Sequence, residues 1–293
     1  PDVEFQRLEE DKYCAGEFVW TGFDYLGEPT PYDGGMVKEG KIITGQTARS
    51  SYFGIIDLVG IPKDRYYLYR SHWAPEKTTV HILPHWNWPE RVGKPVPVFV
   101  YTSGDEAELF LNGKSLGRRK KALGLPTFNL DPYYAVIDKY RLRWMDVPYQ
   151  PGELKAVAYK NGQKIGEQTM RTAGVPAKIR LTPDRSTLVA SGEDLSYLLV
   201  EAVDKDGNLC PLADNRVEFA LSGPGTIAGV GNGNPQSIDP FQTNQVKLFY
   251  GKAMLIIRSL SNQASSVQVT ATSEGIVNDK VQIETNLTKP EIP

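Results

Sequence analysis

The chain has 293 residues, of which 40% are hydrophobic and 23% are charged, and its formal net charge is −2. Compact domains cluster at roughly 100 to 200 residues, so this length predicts two or three domains. Lysine and arginine are spread along the chain, which argues against the dense basic stripe of a nucleic-acid-binding protein. No apolar run approaches the roughly 20 residues that a membrane-spanning helix requires. We therefore expect neither nucleic acid nor a membrane as a partner.

Cysteine usage and the first residues say little about the compartment. Cys14 and Cys210 are the two cysteines, and they fall in different predicted domains, so no disulfide framework is expected. The first residues show neither the basic nor the apolar segment of a secretory signal.

Residues 1–75 predict a helix, a strand, a loop and a second helix. Residues 2–12 place apolar side chains at helical spacing among charged ones, which is typical of an amphipathic surface helix. Glu17–Trp20 is short, aromatic and β-branched, as strands are, and glycines and prolines between residues 22 and 35 then break the chain into a loop. Pro62 suits the first position of a second helix, along which aromatic residues recur at Tyr66, Tyr69 and Trp73.

From about residue 78 the pattern changes to short alternating segments separated by turn residues, which is typical of β-sandwiches. Asn112-Gly113 and Asn161-Gly162 each follow such a segment. They are strong hairpin signals, because a type I′ turn needs two residues that tolerate positive φ. We predict an immunoglobulin-like sandwich over residues 76–172.

Residues 173–293 begin with a predicted linker, Ala173–Pro176, and continue as a second series of strands. The predicted strands are Lys178–Leu181, Ser196–Val203, Arg216–Leu221, Ala253–Arg258, Ser266–Ala271 and Lys280–Glu284. Six strands without a convincing helix predict a second immunoglobulin-like sandwich.

Two glycine-containing motifs imitate functional loops. Gly113–Gly117 matches the G-x-S-x-G nucleophile elbow, but that motif needs a strand that runs into a helix, whereas a hairpin is expected here. Ser115 is therefore not expected to be a nucleophile. Gly229–Gly233 resembles part of a dinucleotide-binding loop, yet Asn234-Pro235 follows where the helix would begin, so we interpret it as a glycine-rich loop.

Two further patterns suggest a metal site and are better explained without one. Asp204–Asn208 opens like a calcium-binding loop but lacks the glutamate at its twelfth position, and an Asp-Gly turn between strands accounts for it. His81 and His85 have the spacing of helical metal ligands, but Pro84 lies between them and the flanking residues are strand-like. We expect no metal and no cofactor.

Aromatic side chains are candidates for stacking on sugar rings, because the C–H-rich faces of sugars pack well on aromatic rings. The candidates are Trp20, Tyr25, Tyr32, Trp86 and Trp88. For Trp86 and Trp88 we favour packing at a domain junction. For Trp20 the resemblance that follows favours contact with a sugar.

Residues 16–32, GEFVWTGFDYLGEPTPY, closely resemble the eighth barrel strand and the following loop of bacterial β-galactosidases in glycoside hydrolase family 2. Residues 53–73 resemble that family's final barrel helix. The resemblance continues over residues 83–88, 108–117 and 229–235, and it covers nearly the whole chain.

The resemblance implies a mostly β chain with three parts. Residues 1–75 would be the last strand and helices of a (β/α)8 barrel, the C-terminal part of a TIM-barrel catalytic domain. Two immunoglobulin-like β-sandwiches would follow, over residues 76–172 and 173–293.

Enzymes of this family are retaining and use one glutamate as acid/base and another as nucleophile, about 5 to 5.5 Å apart. By resemblance both lie upstream, after the fourth and seventh barrel strands, so no catalytic residue is expected in this chain. Glu17, Asp24 and Glu28 surround the strand end, but none matches a catalytic position. Trp20 matches the tryptophan that floors the sugar subsite, and Asp24 is a second candidate for a substrate contact. The alternatives are a buried barrel residue for Trp20 and a loop hydrogen-bonder for Asp24.

The resemblance implies a parent enzyme that hydrolyses terminal β-galactosides, although the family also contains glucuronidases and mannosidases. The expected partners are the upstream remainder of the barrel and an oligo- or polysaccharide, and a homo-oligomer is also considered. Such an enzyme is expected in the bacterial periplasm or outside the cell.

Two other hypotheses remain at this point. The chain could be a non-catalytic carbohydrate-binding or adhesion module, in which residues 1–75 are a remnant. Alternatively, both sandwiches could be structural spacers within the enzyme, because no sequence feature in them demands a ligand. Adding the upstream segment should restore hydrolysis of a nitrophenyl β-galactoside only if the chain belongs to an enzyme.

Overall fold

The computed structural model describes residues 1–27, 36–38, 41–43, 49–122 and 132–287. The α-helices in this part of the chain are α1 (Asp2–Glu10), α2 (Asp64–Trp73) and α3 (Pro132–Tyr140), and a short 3-10 helix spans Pro89–Arg91. Four short strands come first: β1 (Tyr25–Leu26), β2 (Met36–Lys38), β3 (Lys41–Ile43) and β4 (Ser50–Ser51). The next seven are β5 (Val80–Leu83), β6 (Pro95–Thr102), β7 (Glu106–Leu111), β8 (Lys114–Lys120), β9 (Leu142–Pro148), β10 (Glu153–Lys160) and β11 (Gln163–Arg171). The last nine are β12 (Lys178–Pro183), β13 (Thr187–Val189), β14 (Leu195–Val203), β15 (Arg216–Ser222), β16 (Gly225–Gly231), β17 (Gln245–Lys247), β18 (Lys252–Ser259), β19 (Ser266–Thr272) and β20 (Asp279–Asn286).

The chain folds into two compact units that do not follow sequence order. The first unit contains Pro1–Phe23, Gly54–Ile56 and Pro62–Thr172. The second unit contains Asp24–Phe53, Asp57–Ile61 and Ala173–Pro293. The predicted division into three domains, at residues 75/76 and 172/173, stays a prediction. Part of the sequence between the first two helices therefore packs with the last sandwich.

An aromatic cluster joins α1 and α2 in the first unit. Phe5 of α1 is fully buried, meets the Tyr69 ring edge-on at 5.1 Å and stacks on His72 at 4.3 Å. Tyr140, the last residue of α3, packs 5.3 Å from Phe5. The amphipathic helix predicted at the start of the chain is confirmed, and Phe5 is the side chain that it buries.

The second helix is confirmed with a different start. It begins at Asp64, with Lys63 as its N-cap residue, rather than at Pro62. Pro62 instead forms an isolated bridge with Ile56, which keeps it in extended structure before the helix. In the described residues no helix combines the length and apolarity needed to cross a membrane.

A buried ion pair fastens α1 to the rest of the first unit. Asp2 is 4% exposed and accepts two hydrogen bonds from Arg141, one of them 2.7 Å from Nε to Oδ1. Arg141 follows α3 directly and also donates to the Tyr101 hydroxyl at 3.2 Å. Since both charges lie mostly out of water, each needs the other to remain buried at low free-energy cost.

The strand predicted at Glu17–Trp20 does not form, and this expectation was wrong for the chain alone. Residues 14–19 carry no regular secondary structure. A strand is held by hydrogen bonds to neighbouring strands, and the described part of the chain places no such ladder beside these residues. The aromatic and β-branched composition favours a strand, but the strand forms only when a neighbouring strand supplies hydrogen-bond partners.

The first unit contains a sandwich of two antiparallel sheets. One sheet has the order β5-β6-β9 and the other has the order β11-β10-β7-β8. Both Asn-Gly hairpins are confirmed: Asn112 and Asn161 have φ of 49° and 52°, and each connects two paired strands. Alternate residues of β7 are buried in the core, as the period of two in a strand requires. The sequence did not indicate α3, which interrupts this sandwich between β8 and β9.

The second unit contains the other sandwich. Its sheets have the orders β12-β14-β18-β16 and β13-β20-β19-β15-β17, and β13 and β20 form a parallel pair. All six predicted strands are present, and β13, β16 and β17 are additional. Alternate residues of β18 are buried, and Leu255 and Ile257 are fully so.

Candidate functional site

Residues 17–20 keep the alternating burial of a strand, although they form no strand. Phe18 is 102% exposed and Trp20 is 75% exposed, whereas Glu17 and Val19 between them are partly buried. Val19 packs against the aromatic cluster of the helices, and the Tyr69 hydroxyl donates a 3.2 Å hydrogen bond to Glu17 Oε1. One face of the segment is therefore occupied by the helices, and the opposite face presents two aromatic rings to solvent.

Glu17 occupies an unusual environment under this segment. Its Oε2 atom is buried and has no hydrogen-bond partner in the described part of the chain. Burial, together with the neighbouring Glu17 carboxylate, raises the pKa of Tyr69 to about 12, so the hydroxyl stays protonated and donates to Glu17. Buried carboxylate oxygens are normally hydrogen-bonded, so this atom suits a donor from another segment.

The backbone after Trp20 is held by residues 54–56. The Ile55 N–H donates to the Thr21 carbonyl at 3.2 Å, and the Ile56 N–H donates to the Gly22 carbonyl at 2.9 Å. Phe23 and Ile56 form a parallel bridge, and the Phe23 side chain is 58% exposed. We call Phe18, Trp20 and Phe23 the exposed aromatic segment.

Asp24, the other predicted contact residue, is buried. It is 5% exposed and belongs to the second unit, whereas Trp20 belongs to the first. Tyr25, which follows it, pairs with Ser51 in the β1–β4 ladder and packs edge-on against Phe53 at 6.0 Å. The roles of Trp20 and Asp24 in substrate binding stay predictions, and Tyr32 and Glu28 lie outside the described residues.

Trp86 and Trp88 pack within the protein, as predicted. Trp86 is 1% exposed, and its indole N–H donates to the Gln150 carbonyl at 3.0 Å. Trp88 stacks on His85 at 4.4 Å and donates to the His85 carbonyl at 2.7 Å. Both indoles therefore use their polar groups inside the first sandwich.

The histidines and Ser115 take part in local packing. His81 Nε2 lies 2.7 Å from Asp64 Oδ1, and the ring stacks on Tyr67 at 3.9 Å. In the residues that the structure describes, no three metal-binding side chains form a group. Ser115 lies in the β7–β8 hairpin and donates to Glu108 Oε1 at 2.5 Å, so the strand-to-helix geometry of a nucleophile elbow is absent there.

The Asp204–Asn208 turn is confirmed as a loop closed by its own carboxylate. Asp204 Oδ1 accepts hydrogen bonds from the N–H groups of Asp206 and Asn208, each at 2.9 Å, and Oδ2 accepts one from Gly174 at 2.9 Å. Burial alone would raise the pKa of Asp204, but these bonds outweigh it and lower the pKa to about 2. The carboxylate therefore stabilises the loop through hydrogen bonds to its own backbone and to Gly174.

The glycine-rich stretch at residues 229–235 is only partly the loop that was predicted, because Gly229–Gly231 belong to strand β16. Gly231 and Gly233 lie against Val59 and Asp57, and a Cβ atom at either position would come within 2.8 Å of those side chains. Gly231 ends β16 and Gly233 follows it, and glycine inside or beside a strand often marks close approach by another segment. The signal was present in the sequence, but the partner segment was not visible there.

The fold is that of a chain built mainly from two immunoglobulin-like sandwiches with a helical addition. Residues 179–282 match the glycoside hydrolase family 2 C-terminal domain 5, and residues 93–166 match a domain of unknown function, DUF4982. The chain is 44% identical over 276 residues to a β-galactosidase of Bacteroides ovatus, a match covering 94% of this chain and 29% of the relative. It is 34% identical to a putative β-glucuronidase of Formosa agariphila, over 97% of this chain and 25% of the relative.

Solved structures agree with these matches. The crystal structure of a β-glycosidase from Bacteroides vulgatus has a TM-score of 0.82 and 32% identity, covering 97% of this chain and 32% of that one. A glycosyl hydrolase family 2 member from Bacteroides cellulosilyticus has a TM-score of 0.77 and 32% identity, covering 96% of this chain and 36% of that one. The chain belongs to glycoside hydrolase family 2. It spans about a quarter to a third of the length of these relatives.

Proposed function

We propose that this chain is the C-terminal segment of a retaining β-galactosidase that hydrolyses terminal β-galactosides, and that Trp20 forms one wall of its sugar site. The observation that carries the proposal is the alternating burial of residues 17–20. Val19 and Glu17 face the helices, while Phe18 and Trp20 are exposed.

This pattern is what a strand of a (β/α) barrel requires. Side chains of a barrel strand alternate between the surrounding helices and the barrel interior. Val19, packed on the α1–α2 cluster, suits the helix side, and Phe18 and Trp20 suit the interior. Residues at the carboxyl ends of barrel strands line the active site, and Trp20 is the last residue before the chain turns away.

An exposed indole suits a sugar ring for physical reasons. Its flat face packs against the C–H groups of a pyranose, and its N–H can donate to a hydroxyl. The catalytic pair would come from the upstream barrel segment, and this chain would bind and orient the sugar between the two glutamates.

The preference for a galactoside rests on two observations. The relative named β-galactosidase is more similar to this chain than the relative named putative β-glucuronidase, at 44% against 34% identity. In addition, residues 17–23 contain no lysine or arginine that would pair with the carboxylate of a glucuronide. A neutral sugar therefore fits this wall better.

The test is the hydrolysis of nitrophenyl β-galactoside and nitrophenyl β-glucuronide by the full-length protein and two variants. Trp20→Phe should lower kcat/KM for the galactoside at least about 10-fold, because the smaller ring loses stacking area and the N–H donor. Trp73→Phe is the matched control, since Trp73 is 48% exposed at the end of α2 and should change kcat/KM less than about 2-fold.

Three results would contradict the proposal. Preferential turnover of the glucuronide would contradict the sugar assignment. Equal kinetics for the two tryptophan variants would contradict the role of Trp20. Glycan binding without turnover by the full-length protein would show a binding module instead.

A further inference from the structure

The sequence between the exposed aromatic segment and α2 is shared between the two units. Asp24–Phe53 and Asp57–Ile61 belong to the second unit with the last sandwich, while Gly54–Ile56 belongs to the first. The described residues of this loop, 24–27, 36–38, 41–43 and 49–53, are thus grouped with a sandwich whose own sequence begins only after Thr172.

The Asp57–Ile61 turn is closed by its own hydrogen bonds. Asp57 Oδ1 accepts from the N–H groups of Val59 at 3.0 Å and Ile61 at 2.8 Å, and the Asp57 N–H donates to the Ile61 carbonyl at 2.9 Å. Asp57 is 8% exposed. These internal hydrogen bonds fix the conformation of the turn, so a contact at one side of it positions the whole turn.

Two glycines at the end of β16 and just after it fit this turn closely. A Cβ atom on Gly233 would lie 2.0 Å from Asp57 Oδ2 and 2.7 Å from its Cγ, and one on Gly231 would lie 2.8 Å from Val59 Cγ1. Neither glycine has a positive φ, so the close approach, and not the backbone conformation, requires glycine here.

Residues 230–235 also contact the end of the long loop, by which we mean residues 24–53. The Pro235 carbonyl accepts hydrogen bonds from the N–H groups of Arg49, at 2.5 Å, and Ser50, at 3.2 Å. Leu26 and Leu58 line a small cavity together with Val230, Phe241 and neighbouring residues of this loop. The sandwich therefore contacts the long loop near its beginning, near its end and at the turn that follows.

We propose that residues 230–235 of the second sandwich are a clasp that holds the Asp57–Ile61 turn, and that this turn is a positioning element for Trp20 through the backbone that joins them. The inference rests on the proposed function. The link to Trp20 is the chain itself: Ile56 donates to the Gly22 carbonyl, and the next residue, Asp57, is held by the clasp. Holding Asp57 in place limits the movement of Ile56, whose N–H group bonds to Gly22, two residues after Trp20.

The test uses the full-length protein and two kinds of readout. Gly233→Ala and Gly231→Ala should raise KM for nitrophenyl β-galactoside about 10-fold with a smaller change in kcat, because the sugar wall is displaced while the catalytic glutamates stay in place. Hydrogen exchange at the Val59 and Ile61 amides should accelerate in the same variants. Gly229→Ala is the matched control in the same strand, since its Cβ would meet its nearest atom at an ordinary 3.6 Å.

A compensating change tests the contact itself. Val59→Ala removes the Cγ1 methyl group that lies nearest to the Cβ position of Gly231, so adding it to Gly231→Ala should bring KM and amide protection most of the way back to their wild-type values. This pair decides the question even if Gly233→Ala does not fold. Kinetics and exchange unchanged in Gly231→Ala would overturn the inference. If the wild type hydrolyses no glycoside while the exchange changes occur, the proposed function fails and the structural clasp stands.

Discussion

The two sandwiches differ in what each one holds from residues 1–75. The first sandwich packs in one unit with α1 and α2, and Arg141 binds Asp2 at the start of the chain. The second sandwich packs with the loop after Trp20, through glycines that leave room for Asp57 and Val59. Similar folds therefore pack against different parts of residues 1–75.

The largest expected stability effect is in the first sandwich. Arg141→Ala leaves the Asp2 carboxylate buried without its partner, which should cost about 3–5 kcal/mol of unfolding free energy. Chemical denaturation measures this loss. Arg171→Ala is the control, because Arg171 pairs with Glu153 at the surface and should cost less than about 1 kcal/mol. Equal losses would break the claim that the first sandwich holds α1.

The two Asn-Gly hairpins of the first sandwich sharpen the comparison further. Asn112 Oδ1 accepts from the Glu153 N–H at 2.7 Å, and its Nδ2 donates to the Pro151 carbonyl at 3.2 Å. This side chain therefore links the β7–β8 turn to the connection between β9 and β10. Asn112→Ala should cost about 2 kcal/mol. Asn161→Ala, at the same turn position, should cost about 1 kcal/mol, because it loses mainly the tolerance for positive φ. Thermal unfolding of both variants compares them, and a larger loss for Asn161→Ala would contradict the assignment.

An effect similar in size to those of the hairpin asparagines concerns the start of the second sandwich and depends on pH. The folded-state pKa of Asp204 lies at about 2, below its ordinary value of 3.8. The carboxylate therefore adds stability that is complete above about pH 4 and is lost as the pH falls towards 2. Asp204→Asn should remove on the order of 1–2 kcal/mol at neutral pH and flatten the acid side of the stability curve. An unchanged curve would show that Asp204 does not hold Gly174 and its own loop.

Sequence patterns predicted most of the two sandwiches because their strands find partners within the chain. Alternating burial and the Asn-Gly turns are local features, and both hairpins formed where expected. Glu17–Trp20 carries the same local signal, yet it forms no strand in the described structure because a ladder needs a neighbour.

Other features depend on contacts that local patterns do not reveal. Helix α3 lies within a region of strand-like sequence, and its end is fixed by Tyr140 against Phe5, far away in the sequence. The clasp is also non-local, because the need for glycine at positions 231 and 233 is set by the Asp57–Ile61 turn, which is distant in the sequence. The resemblance pointed to Trp20, whose exposure agrees with a surface role, whereas Asp24 is buried in the other unit.

The most direct test of the central claim is the inhibition constant of galactose for the full-length protein, which reports binding to the sugar wall without the chemical step. The account predicts that Trp20→Phe raises this constant at least about 10-fold, while Trp73→Phe leaves it within about 2-fold of the wild type. An unchanged constant in Trp20→Phe would show that the exposed indole is not part of the sugar site.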